Sequence, residues 1–424
     1  MKGLRRRAQV IPTLLAAIAL LGSLFACTGE SATPGDVPVQ IMDSAGVRTV
    51  TYDGTPAITA PFHLGAEPRY RHGANPGDYT FQLVNVGRLF PDGGAVVADR
   101  ENSELVVLGP DGKTHEVLAR QGEGPGELIY PYSMFVLGQD SVLVPDNRLS
   151  RLTLFVRDSV ARIASLPRAA HLGVAGIGSS GELMLKNRYP AVYRTVEEEV
   201  WLPGHMTLFD TETGALDTVA SYDNWPGNPP GLPANPIRTL GEVTVAAGQF
   251  VYTRSDRPEV TWRLPDGTVT QIMRWRAERT LLTEELLEPV EAYDRMMGRI
   301  NYQVSDARLE ELVQEGMSWY RAMLGRPLPL FGIPFADAVG NIWLPSYRMT
   351  YPEEGSPYTV ISPDGEWLGQ VETPPRFRIL DVAGGLVLGV LRDEMDVESV
   401  VVFEVVGWTF GLNPDTQVPR SGSM

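Results

Sequence analysis

Short β-rich runs of apolar residues, punctuated by turn residues, dominate this chain. Pro-Asp-Gly occurs four times, at 91–93, 110–112, 265–267 and 363–365, each time between such runs. Proline presets φ at the first corner of a turn, Asp bonds back to the backbone, and Gly takes the positive φ. "GRLFPDGGAVVAD" (87–99) and "ELVVLGPDGKTHEVL" (104–118) therefore predict consecutive hairpins. Together they define a unit: a strand, a Gly-containing turn, a second strand ending in Asp, a loop, a third strand, a turn and a fourth strand.

The unit recurs. "GELIYPYSMFVLGQDSVLVPDNRLSRLTLFVRDSVARI" (126–163) is a second copy, with Asp146 where Asp99 stood. A third joins "GVAGIGSSGELMLKN" to "HMTLFDTETGALDTVAS", a fourth spans 242–275, a fifth joins "PFADAVGNIWLPSYRMT" to "YTVISPDGEWLGQVE", and a sixth spans 378–405. First turns near 93, 140, 181, 248, 340 and 384 give intervals of 47, 41, 67, 92 and 44. Three of these match one propeller blade of about 40–50 residues, and the two long ones contain insertions. The sixth copy shows three strands. "VRTVTY" (47–52) is the expected fourth, closing the ring between the two ends of the chain and leaving only short strand edges.

Periodicity changes in the insertion at about 280–324. Leu286, Val290, Tyr293, Met297 and Ile300 step by four and three, one helical face, and Pro289 sets the helix start near Leu287 or Glu288. Leu309, Val313, Met317 and Tyr320 form a second face with Ser305 as N-cap. Two helices packed over one propeller face are expected, with the methionines and Trp319 read as core and a lid or docking surface as the alternative. The other insertion, "NWPGNPPGLPANP" (224–236), favours extended backbone, either rimming a binding face or connecting blades three and four.

"GEGPGEL" followed by "YP", with "VLVPDNRLSRLTLF", resembles the recurrent motif of bacterial six-bladed β-propeller lipoproteins, relatives of the NHL-repeat and TolB-like propellers. The resemblance covers most of residues 45–405 and implies an all-β, six-bladed propeller with a short helical insertion between blades four and five. The first-blade copy of the motif, "GANPGDYTFQ" (73–82), departs from it, and blade three carries an added stretch at 187–204. On this frame "RQGEGPGELIYPYS" (120–133) is the passage from the outer strand of blade one into the inner strand of blade two. It leaves open whether Glu123 and Glu127 face the channel or cap the turn.

Several stretches carry candidate chemistry. Asp99, Asp146, Asp337 and Asp381 sit at repeating positions near strand ends. They read either as Asx-type bonds to neighbouring turns, repeated because blades repeat, or as carboxylates ringing the propeller axis around a divalent metal, the arrangement of lactonase-type six-bladed hydrolases. Gly176–Gly181 matches GxGxxG, but the strand-like "ELML" follows it where a dinucleotide site needs a helix N-terminus, so it reads as a turn. The five histidines, at 63, 72, 115, 171 and 205, show no zinc-helix spacing, although His63 and His72 lie close in sequence. The sequence contains no GxSxG elbow, Walker loop or EF-hand loop.

Composition adds an address. Residues 1–26 carry Lys2, Arg5, Arg6 and Arg7 and then an apolar run, a signal-peptide pattern. Leu24-Phe25-Ala26-Cys27 resembles a bacterial lipobox, and Cys27 is the single cysteine. The expected organisation is a lipoprotein signal peptide (1–26), a lipidated tether (27–44), the propeller (45–408) and a flexible tail (409–424). Thr28 rather than Asp after the cysteine favours the outer over the inner membrane. The full chain has 36 bases, 52 acids and a formal charge of −16; removing four bases with the leader leaves 32 against 52, or −20. Such a body is repelled by nucleic acid.

The function expected is a membrane-anchored binding or scaffold propeller for a protein, peptide or glycan, without a cofactor. The alternatives are a metal-dependent lactonase-like hydrolase or lyase at the channel mouth, and an accessory subunit of an envelope complex.

Overall fold

The computed structural model describes residues 37–56, 60, 62–167, 172–187, 201–226, 237, 239–301, 304–350 and 355–407. The leader, Cys27, most of 187–204, most of the proline-rich insertion and the tail lie outside these residues. The described chain forms six sheets, each built around one blade of antiparallel strands. Blade one comprises Val84–Leu89, Ala95–Asp99, Glu104–Leu108 and His115–Ala119; blade two Phe135–Val136, Ser141–Asp146, Arg151–Val156 and Ser159–Ser165. Blade three comprises Leu172–Ile177, Leu183–Asn187, Trp201–Phe209 and Leu216–Pro226; blade four Gly241–Ala246, Gln249–Arg254, Glu259–Arg263 and Val269–Trp275. Blade five comprises Phe335–Ala336, Ile342–Pro345, Tyr358–Ile361 and Trp367–Val371; blade six Phe377–Ala383, Leu386–Arg392 and Glu398–Val406. The expected six-bladed propeller is thus the fold.

Burial follows position within a blade. The second strand of blade one, Ala95–Asp99, is buried at every residue, because both its faces pack against neighbouring blades. The outermost strand of blade two, Ser159–Ser165, is exposed at six of seven positions. The core is accordingly a ring of clusters between blades. One joins Val97 and Val106 of blade one to Leu388 and Val400 of blade six.

Ring closure differs from expectation. The fourth strand of blade six is Tyr70–His72, paired with Val400–Val402, and His63–Leu64 extends it against Val405 and Val406. Val47–Tyr52 instead runs parallel to Val269–Trp275 on the outside of blade four, register Val50 to Met273. Packing explains the choice: Val50 is buried among Met273, Trp275 and Trp367 between blades four and five. The Tyr52 hydroxyl also accepts the Trp367 N–H at 2.9 Å. Residues 39–44, expected at the end of the tether, form an exposed strand paired with Val47–Tyr52.

The insertion between blades four and five holds two helices, α1 (Glu288–Asn301) and α2 (Asp306–Arg321). A single 3₁₀ turn at Glu285–Leu287 precedes α1, so the helix starts beside Pro289 as expected. Ser305 caps α2, its side chain accepting the Arg308 N–H. Leu287, Val290, Leu309, Val313 and Met317 pack together with Ile237 and Leu328. Trp319, read from the sequence as core, is 40% exposed on the outer side of α2.

Candidate functional site in the propeller channel

Strand direction fixes which loops share a face. In a four-stranded antiparallel blade, the loop joining strands two and three lies at the same end as the connection to the next blade. These form the upper face, and the other two hairpin turns form the lower face. The helical insertion is such a connection, so it sits on the upper face.

A central cavity of about 590 Å³ is lined by residues of all six blades. A second cavity, about 330 Å³, opens beside it among upper-face segments of blades four, five and six. Both are lined by Glu242, Ile333, Pro334, Pro345, Tyr358 and Arg378, which makes them one funnel. Tyr347 lines the mouth and also packs against the helical cluster, so the insertion abuts the opening.

Among the described residues, the charged side chains of this funnel are Arg88, Lys186, Arg348 and Arg378 against the acid Glu242. That inverts the balance of the whole chain. Lys186 pairs with Glu242 at 2.6 Å. Arg378 makes one hydrogen bond, donating from Nη2 to the Val84 carbonyl at 2.6 Å. Arg88 donates to the Gly87 and Leu380 carbonyls, and the nearest carboxylate oxygen, on Asp381, stands 3.9 Å away. Arg348 donates to Ser356 Oγ and the Gly355 carbonyl. Carbonyls and hydroxyls orient a guanidinium without neutralising it. Aromatic rings, Tyr130, Tyr132 and Tyr358, complete the wall.

The four aspartates do not converge. Asp99 and Asp146 end second strands at the upper face, whereas Asp337 lies in a lower-face turn and Asp381 near the lower end of an inner strand. Asp99 accepts the N–H groups of Gln82 and Leu83; Asp146 accepts those of Ile129, Tyr130, Arg148 and Leu149. Each ties the incoming inter-blade connection to its own blade, the Asx-type role. Asp337 accepts from the Val339 and Asn341 N–H groups, Asn341 Nδ2 and Trp343 Nε1. Burial raises its pKa, against the lowering by those bonds. Asp381 accepts the Leu89 N–H at 2.9 Å, and burial raises its pKa while Arg88 opposes the rise. Among the described residues no three His, Cys, Asp or Glu side chains group as metal ligands.

The other motifs resolve locally. Gly176–Gly181 is the first turn of blade three, where Gly178 and Glu182 exchange a backbone bond. In "RQGEGPGELIYPYS", Glu127 Oε2 accepts the Gly124 N–H, and Arg151 donates to the carbonyls of Glu123, Gly124 and Glu127. Glu127 therefore caps the turn. Gly126, at φ +81°, takes a conformation that a side chain resists. His72 is fully buried; Nδ1 donates to the Gly112 carbonyl and Nε2 accepts the Tyr79 N–H. Its close ring neighbour is His115, at 5.0 Å between centroids, whereas His63 is exposed.

Sequence reasoning passed over Arg88, Lys186, Glu242 and Arg378. The usable signal was their placement: Arg88, Glu242 and Arg378 are charged residues inside the apolar first strand of a copy.

No protein-family model matches the chain, and no curated protein does. Solved structures resemble it at low identity. A Bacteroides fragilis protein provisionally described as exported is 10% identical over 84% of this chain and 99% of its own, with a TM-score of 0.47. Regucalcin of Agrobacterium tumefaciens, described as calcium-binding, is 11% identical over 77% and 92%, at 0.39. Virginiamycin B lyase of Staphylococcus aureus is 10% identical over 87% and 99%, at 0.36. None of these likenesses carries an argument about activity.

Proposed function

We propose that this protein is a membrane-anchored envelope lipoprotein whose propeller binds a ligand in the upper-face funnel. The observation that carries the binding role is the funnel itself: wall residues from every blade, several polar and aromatic, around a space of small-molecule size. The lipobox ending in Cys27, the only cysteine, supports the anchor, and Thr28 favours the outer membrane. A metal-dependent hydrolase or lyase needs converging oxygen donors. The described funnel offers the carboxylate of Glu242, which is committed to Lys186.

Binding is tested by a thermal-shift screen of envelope metabolites on the purified protein and on Thr244→Trp, whose new indole would fill the channel. Compounds that stabilise the parent should fail to stabilise the variant; equal stabilisation of both refutes the site. The anchor is tested by metabolic labelling with an alkyne fatty acid. Label should appear on the parent and vanish in Cys27→Ala, and density-gradient fractionation should place the labelled protein with the outer membrane.

A further inference from the structure

The funnel's charge carries a more specific reading, which rests on the binding role proposed above. We propose that the funnel is selective for a small organic oxyanion, a carboxylate- or phosphate-bearing molecule, with Arg378 and Arg88 holding the anionic group.

Three observations support this. The first is the reversal of charge: among the described residues, four bases and one acid line the funnel of a chain whose formal charge is −16. Low-dielectric walls focus such a field toward the channel. The second is that Arg378 is held ready without a carboxylate partner, whereas Arg88 has only a long pair, 3.9 Å, with Asp381. Arg378, on the first strand of blade six, spends one donor on the Val84 carbonyl of blade one and has no carboxylate within 4 Å among the described residues. Arg88, on the first strand of blade one, spends Nη1 on backbone carbonyls, including Leu380 of blade six. The two guanidiniums thus cross the same seam in opposite directions and keep donors free in a fork geometry suited to oxyanions. The third is an unpartnered polar atom in the same wall. Thr253 is 1% exposed, lines the mouth cavity that Arg378 also lines, and its Oγ1 has no hydrogen-bond partner among the described residues. A buried hydroxyl is costly to leave unpaired, and a ligand oxygen would satisfy it.

The Lys186–Glu242 pair adds orientation. It is self-neutralised, so it offers a polar but uncharged patch to the rest of the ligand, and Tyr130 and Tyr358 offer ring surface. The anionic group belongs at the arginines and the neutral part of the molecule lies across the channel from them.

The test uses purified mature protein and three probes: citrate, glucose 6-phosphate and glucose, by isothermal titration with thermal shift in parallel. At least one of the two anions should bind in the channel, glucose should bind about tenfold more weakly or not at all, and added salt should weaken the anion. Arg378→Met should weaken binding by about ten- to a hundredfold, the equivalent of losing a charge-assisted hydrogen bond. Arg88→Met should act in the same direction, and Arg276→Met, at a side chain 82% exposed on the outside, should change nothing. Circular dichroism confirms that each variant is folded. If Arg378→Met fails to fold, protection of Arg378 from phenylglyoxal by the anion in the parent protein answers the question, and no protection overturns the proposal. It is also overturned if glucose binds as tightly as glucose 6-phosphate, if anion binding survives both arginine changes, or if neither anion binds. Failure here with metabolite binding still blocked by Thr244→Trp would leave the binding site standing and remove only its anion selectivity.

Discussion

Glu398 should be the strongest single latch of the ring. Its carboxylate is 1% exposed at the start of the third strand of blade six. Oε2 accepts the buried Val84 N–H of blade one at 2.6 Å, and Oε1 accepts Arg392 Nε at 3.0 Å and Nη2 at 2.8 Å. Glu398→Ala removes both ends at once. It takes one carboxylate from a mostly buried guanidinium and orphans the Val84 N–H, together a loss of about 3–5 kcal/mol. Glu398→Gln keeps an acceptor for Val84 and loses only the charge, so a smaller cost, about 1–3 kcal/mol, is expected. Urea unfolding followed by tryptophan fluorescence reads the stability, and hydrogen exchange reads its location. Amides of Tyr70–His72 and Val400–Val402, the closing pair, should lose protection before those of blade three. A double-mutant cycle with Arg392→Met should recover part of the alanine cost. A loss below about 1 kcal/mol in Glu398→Ala, or protection lost uniformly around the ring, refutes the latch.

Three further outcomes follow from packing and titration. Burial raises the folded-state pKa of Asp381 above its ordinary value, so the native state holds a proton over the interval between the two. The stability of the parent relative to Asp381→Asn should therefore fall as pH rises from about 4 through that interval and then level off; a difference that grows with pH contradicts the assignment. Ser305→Ala should cost about 1 kcal/mol and speed exchange in the first turn of α2, with the blades unaffected. Val50→Ala should cost about 1.5–3 kcal/mol if Val47–Tyr52 belongs to the body, and nothing measurable by urea unfolding if that strand is a loose appendage.

The blades were legible because their information is local. A Pro-Asp-Gly turn and the strands beside it are decided within about a dozen residues, and the helix start at Pro289 and cap at Ser305 obey equally short-range rules. Closure was not legible, and the reason is physical. "VRTVTY" has the composition of a strand and is one, but a strand's partner is chosen by the surface it buries. Val50 finds that surface between Trp275 and Trp367, far along the chain. The true closing segment, Tyr70–His72, has three residues and no run to announce it. The repeated aspartates told half the story. Asp99 and Asp146 recur because the same inter-blade connection must be tied down twice, a structural need that looks like a ligand set in sequence.

The funnel shows why repetition conceals chemistry. In a repeating fold the residues that recur are those every blade needs, so the site must lie in the residues that do not recur. Arg88 occupies one inner strand and Arg378 another, and no other inner strand lining the cavity carries an arginine there. They line one seam because the ring closes: Arg88 bonds to Leu380, 292 residues away in sequence. An isolated arginine within an apolar strand is a poor strand former's choice in a copy whose equivalents are mostly apolar or small. It also costs desolvation that a carbonyl repays only in part. Arg378, tied to the opposite blade by a backbone carbonyl, is hard to explain as a structural link alone, because an uncharged donor would make the same bond at lower cost; Arg88 also faces the buried Asp381 at 3.9 Å. Replacing Arg378 by Gln, which can still donate to Val84 but carries no charge, separates the two accounts. A structural link predicts the same stability and the same anion binding. A charged receptor predicts the same or higher stability with anion binding lost.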